Sequence, residues 1–186
     1  LQPLSRTVLE YRVALYSLEA RIWMVLGSHD NALQALGVAR KQALSLPSEE
    51  DLDDAVLRRE LLRGIASVAS SMADANAAEA QKLRSTAREA LTDAAREAFA
   101  DVRKTPDAAC VCALELAAVL FRLGRLDEAR ANVERSLSAA FAVLRRSGHE
   151  TARTDDDVRR AVTAAVDLGI DVAASLLRKN YTEELK

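Results

Sequence analysis

Leu123-Gly124-Arg125-Leu126-Asp127-Glu128-Ala129 joins two helical patterns through a single glycine. Upstream of it, Thr105-Pro106-Asp107 reads as a helix start. Thr105 is the N-cap and Pro106 takes the first helical position, where its missing N–H costs nothing. Val111, Leu114, Leu116, Leu120 and Phe121 then recur at helical spacing up to Gly124. Downstream, Leu126, Ala129, Val133, Leu137, Phe141 and Leu144 carry a second helix to Ser147-Gly148. So short a link makes the two helices antiparallel neighbours, and residues 106–147 predict a helical hairpin.

The same grammar extends in both directions. Pro3 opens a first helix whose apolar residues are Val8, Leu9, Tyr11, Leu15, Leu18, Ile22, Trp23 and Leu26. Gly27-Ser28-His29-Asp30 breaks it, and Asp30 is the expected N-cap of a second helix carrying Ala32, Leu33, Leu36, Ala39 and Leu44. Pro47-Ser48 ends that helix. Ser48 with Asp51 forms a variant capping box, and Glu49, Glu50 and Asp51 suit the positive end of the next helix dipole. A third helix runs through Val56, Leu57, Leu61, Leu62, Ile65, Val68 and Met72 to a turn at Asp74-Ala75-Asn76. An Ala-rich fourth helix continues to about Arg103. Beyond Gly148, Thr154 with Asp157 marks another capping box, followed by Val158, Val162 and Val166. Gly169 is expected to break this helix ahead of a short last one with Val172, Leu176 and Leu177, and the tail from Asn180 is expected to be loose.

Eight helices in four hairpins are therefore expected, over about residues 3–46, 50–103, 106–147 and 154–180. The intra-hairpin turns at Gly27, Ala75, Gly124 and Gly169 are 48, 49 and 45 residues apart. A near-constant period marks a repeat array, in which each unit buries its apolar face against the next. The fold class is all-α, and residues 1–186 read as one domain of stacked hairpins.

Composition agrees. Hydrophobic residues make up 49% and charged residues 29%, which suits a packed chain and not a disordered one. The net charge of −2 gives no electrostatic case for nucleic acid. No apolar run is long enough for a membrane span, and residues 1–27 lack the pattern of a signal peptide. Cys110 and Cys112 point in different directions on a helix, so they read as small buried residues in a reducing, cytoplasmic setting and not as a disulfide or metal site. The chain begins at Leu1 and not at Met, and a segment of a longer protein is expected.

Two hairpins carry a signature. In the first, Tyr16, Ala20, Trp23, Gly27, Ala32, Leu36 and Ala39 fall in order; in the third, Leu116, Ala117, Leu120, Gly124, Ala129 and Val133 do. This pattern resembles the tetratricopeptide repeat, in a variant with longer helices, since that family's period is about 34 residues. The resemblance implies a right-handed α-solenoid. It makes Ala20 and Ala32 the close-contact pair, with Trp23 filling the gap beside them. The second and fourth hairpins fit poorly, with Arg84 and Arg178 where apolar residues belong.

The resemblance also implies a concave groove lined by the first helix of each pair. That places Ser17, Arg21, Met24 and Val25 there, followed by Ile65, Ala69 and Met72, then Leu114, Ala118, Phe121 and Arg122. The Lys and Asn residues with which some members clamp a peptide carboxylate are missing at these positions. An apolar groove with two Arg suits an amphipathic helix or a neighbouring solenoid face. Met24, Met72 and Phe121 read equally well as core.

Nothing in the chain points to catalysis or a cofactor. His29 and His149 lie in predicted loops without metal-ligand spacing, and no phosphate loop or nucleophile elbow occurs. Asp53-Asp54, Asp127-Glu128 and Asp155-Asp156-Asp157 sit near helix starts, where the dipole explains them. Arg145, Arg146, Arg153, Arg159 and Arg160 are interleaved with acids, which reads as a mixed solvated surface. The expected function is a structural scaffold that binds other proteins within a larger assembly. The cytoskeleton or a cilium would be compatible homes that no residue indicates. The alternatives are a regulatory adaptor that takes short peptides or an amphipathic helix in its groove, and, less favoured, a helical enzyme or ligand carrier.

Overall fold

Ala-rich segments with little Gly or Pro have helix as their cheapest ordered state. The computed structural model describes residues 6–46, 52–100, 102–103, 105–146 and 152–184, and among them every regular element is a helix. The order is α1 (Arg6–Val25), α2 (His29–Leu44), α3 (Leu52–Ala75), α4 (Ala80–Ala100), α5 (Pro106–Arg122), α6 (Leu126–Arg146) and α7 (Ala152–Glu184). Pro3, Pro47-Ser48, the Ser48–Asp51 box, Ser147-Gly148 and His149 lie outside the described residues, as do the side chains of Arg145, Arg146, Arg153 and Arg159.

The chain divides into two compact units, residues 1–97 and 98–186. In the first, α1 packs along α2, and α3 packs against both. Its core is built from Leu9, Val13 and Ala20 of α1, Leu36 and Ala39 of α2, Leu62 and Ile65 of α3, and Leu83 of α4. In the second, α5 packs along α6, and α7 packs against both. Leu116, Leu120, Val133 and Val172 are buried there.

The turns expected at Gly27 and Gly124 are both present, and they are built alike. Gly27 has φ +74° and Gly124 φ +73°, a left-handed conformation that strains any residue with a Cβ. At the first turn, Gly27 N–H bonds Met24 O and Ser28 N–H bonds Trp23 O. At the second, Gly124 N–H bonds Phe121 O and Arg125 N–H bonds Leu120 O. Each pair of bonds is a Schellman closure, which satisfies the last carbonyls of its helix. The two sets of partners are offset by 97 residues throughout. Ala20, Ala32, Ala117 and Ala129, the small residues of the signature, are all fully buried.

Five expectations need correction. Gly169 does not break a helix: α7 runs unbroken through it, so the eighth helix and the fourth hairpin are not formed. A mid-helix glycine costs only about 1 kcal/mol, and here it permits close packing. A Cβ at Gly169 would lie 3.3 Å from Val133 Cγ1. Thr154 is inside α7 and not its cap, and the chain beyond Asn180 stays helical to Glu184. At the start of α2 the N-cap position is held by Ser28, which makes no side-chain bond to the helix backbone; its Oγ accepts from the Asn31 side chain Nδ2 at 3.0 Å, and Asp30 sits in the first turn. His29 begins α2 and is not a loop residue.

Gly64 shows the reverse of Gly169. It sits mid-helix in α3, and a Cβ there meets nothing within 4 Å. Gly64→Ala is expected to stabilise the chain by about 0.5–1 kcal/mol, because it reduces the freedom of the unfolded state without strain. Thermal melting followed by circular dichroism checks this, and an unchanged or lower midpoint contradicts it.

Candidate protein-interaction surfaces

Helix α1 is apolar on two opposite faces. Leu9, Val13 and Ala20 point into the core, at 4%, 3% and 0% exposure. Val8, Tyr11, Leu15, Leu18, Ile22 and Val25 lie roughly half a helical turn away from them. These six are exposed, from 39% at Val8 to 88% at Val25, and Leu26 extends the strip at 67%. Their spacing alternates between three and four residues, the heptad pattern of helices that pack side by side. The strip is about 26 Å long. Contiguous apolar patches of this kind mark docking sites, whereas single exposed apolar residues mark nothing.

The flanks of the strip carry charge. Arg12 and Glu19 on one side and Arg21 on the other are exposed beside it, with Ala14 next to Arg21. Glu19 accepts a hydrogen bond from Trp23 Nε1 at 3.0 Å. Arg6 lies 3.6 Å from Glu10 and 4.0 Å from Asp54, tying the start of α1 to α3. Counting 97 residues on from Leu15 and Ile22 gives Cys112 and Val119 of α5, which are 1% and 6% exposed. At these two positions the second glycine hairpin is buried, whereas the counterparts of Leu18 and Val25 are the half-buried Glu115 and the exposed Arg122.

The residues expected to line a groove scatter. Ile65, Ala69 and Met72 are buried, at 0%, 0% and 6% exposure, and pack in the first unit's core. Ser17 and Met24 are half-buried and Arg21 and Val25 exposed. Met24 faces a polar junction: Asn76 Nδ2 is 4.0 Å from its sulfur and 3.1 Å from His29 Nε2. His29 Nδ1 in turn lies 3.7 Å from Glu79 Oε1, which links the start of α2 to the α3–α4 turn. In the second unit, Leu114, Ala118 and Phe121 are half-buried and Arg122 is exposed. Tyr16 and Trp23 are half-buried as well.

The second unit has a cleft of about 560 Å³ between α6 and α7. Val133, Val172 and Leu176 supply apolar lining, with Gly169 opening the space, and Asp127, Arg130 and Lys179 also line it. Arg130 Nε is 3.0 Å from Glu134 Oε1. The rim carries both signs of charge.

A third feature holds charge inside the first unit. Arg58, Arg59 and Asp93 are about 5–6% exposed. Asp93 Oδ2 accepts from Arg40 Nε at 2.7 Å, and Arg58 Nε is 3.0 Å from Glu97 Oε1. Burial pushes the Glu97 carboxyl above its ordinary range, against the pull of Arg58 and Arg59. These groups clamp α2, α3 and α4 together. No group of metal-ligating side chains occurs among the described residues, and no described helix is long and apolar enough to cross a membrane.

Cys110 and Cys112 are buried and form no disulfide. Ser136 Oγ donates to Cys110 O at 2.8 Å. Burial raises the Cys110 thiol above its ordinary 9.0, since the thiolate would be poorly solvated. The folded state then holds this proton more tightly than the unfolded chain. Its contribution to stability is complete below pH 9 and declines as pH rises past it. Native protein at pH 8 is expected to leave Cys110 unmodified by iodoacetamide, with modification in urea, as read by peptide mass spectrometry. Rapid native labelling contradicts this.

No family model, no curated protein and no solved structure matches this chain.

Proposed function

We propose that this chain is a protein–protein interaction module, a solenoid segment of tetratricopeptide-like hairpins that acts as a scaffold and engages a partner through α1. The observation that carries this reading is the strip from Val8 to Val25, apolar, exposed and opposite the core. A surface helix ordinarily carries one apolar stripe, toward its own core, so a second stripe on the opposite side is left for another molecule to cover. The matched glycine hairpins 97 residues apart support a repeat architecture. Two features support binding over catalysis as the use of this surface: it is an open face, and its side chains are apolar.

The test is Leu15→Glu combined with Leu18→Glu, at the centre of the strip. Both side chains point away from the core, so helicity and the urea midpoint are expected to stay at wild-type values. Partners retained by the tagged wild-type chain are expected to fall at least tenfold, because two charges must then be desolvated in the contact. Retention of the same partners would move the interface off α1. A second reading, transient peptide binding, draws on the α6–α7 cleft and its mixed rim. Leu176→Asp would abolish it and leave the α1 contacts intact.

A further inference from the structure

We propose that the partner of α1 is α1 of a second copy of this chain, docked antiparallel about a two-fold axis. This rests on reading the strip as a docking surface and goes on to identify what covers it.

The argument comes from register and charge. In an antiparallel pair centred between Tyr16 and Ser17, the six strip positions match one another. Val8 of one copy meets Val25 of the other, Tyr11 meets Ile22, and Leu15 meets Leu18. Each contact then occurs twice, as an isologous interface requires. The flanks discriminate between orientations. In an antiparallel pair, residues on one flank of the strip face the same flank of the partner helix. Arg12 and Glu19 share a flank, so Arg12 of each copy lies beside Glu19 of the other, giving two ion pairs. On the opposite flank, Arg21 meets Ala14 and Thr7, and no like charges are opposed.

A parallel pair has no such complementarity. It would set Arg12 against Thr7, Glu19 against Ala14, and Arg21 against Leu26. Flanking charge sets partner choice and orientation in helix pairs, and here it selects self-association in the antiparallel sense. The geometry of the unit permits it. The strip is turned away from the face that packs on α2 and α3, so each copy carries its own core behind α1.

The experiment measures the self-association of the full chain by analytical ultracentrifugation at several concentrations. Wild type is expected to dimerise. Arg12→Glu places Glu beside Glu19 at both ends of the contact, and Glu19→Arg places Arg beside Arg12. Each is expected to weaken the dimer about tenfold. Mixing the two variants is expected to restore association as a heterodimer, since every flank pair is then opposite in sign. The double variant within one chain is expected to recover as well. Recovery on mixing requires folded proteins, so misfolding cannot imitate it.

A wild-type chain that stays monomeric overturns the proposal. So does a dimer indifferent to Arg12→Glu, or single variants that do not recover on mixing. If wild type is monomeric yet captures a different protein in a manner lost in Leu15→Glu with Leu18→Glu, the strip is a docking surface and the second copy is not its occupant. If neither association depends on Leu15 and Leu18, both readings fail together.

Discussion

Replacing Arg40 by Ala lowers the unfolding free energy of the first unit by about 3 kcal/mol. Asp93 is 6% exposed and has given up its water. Arg40 compensates with Nε at 2.7 Å and Nη2 at 2.7 Å from Oδ2, while its Nη1 reaches Glu89. Arg96 contacts Oδ1 at 3.2 Å, but its side chain is 73% exposed and a mobile surface arginine holds a buried carboxylate poorly. Arg40 is itself 27% exposed, which places the loss at the lower end of the range for broken buried pairs. A control separates an orphaned charge from lost packing. Arg40→Met with Asp93→Leu removes both charges and should regain most of the stability. Trp23 is the only tryptophan and belongs to the first unit, so urea unfolding followed by its fluorescence reads the effect. A loss within 0.5 kcal/mol of zero would mean that Arg96 and water suffice, in the manner of a surface pair.

Leu120→Ala is expected to cost the second unit about 3 kcal/mol, within the range of 2–5 for such truncations. Leu120 is 2% exposed on α5, which packs along α6, and the space left by its side chain is closed to solvent. Its backbone carbonyl accepts the Arg125 N–H that closes the Gly124 turn, and Ala preserves that bond. The loss is therefore one of packing alone. Leu114→Ala, on the same helix but half-buried, should cost about 1 kcal/mol. Hydrogen exchange by mass spectrometry resolves peptides of α5 and α6 and so reads this unit directly. Equal effects at Leu114 and Leu120 would contradict the burial difference.

Where the signal was local, the fold was legible. Gly27 and Gly124 announce left-handed closures, and Thr105-Pro106 announces a helix start, because each depends on its own backbone. Gly169 misled for the opposite reason: its role is set by Val133 on another helix, 36 positions away. The burial of Arg58 and Arg59 likewise depends on a distant partner, since α4 brings Glu97 to within 3.0 Å of Arg58 Nε. The candidate surface was half visible. The apolar residues of α1 predicted a helix, and their alternating spacing was present to be read. Which side would be buried depends on how α2 and α3 pack. The resemblance implies a groove lined by Ile65 and Met72, whereas both are buried in the first unit.

The paired glycine turns also bear on how quickly order can arise. Each joins helices adjacent in the chain, so the first native contacts close only short loops, at small entropic cost. Helices of this length form in under about a microsecond, and the left-handed glycine leaves little searching at the bend. Two such bends, one in each unit, give the chain two separate starting points. Slowing one by Gly27→Ala should leave the early protection of α5 and α6 at its normal rate, and Gly124→Ala should do the converse.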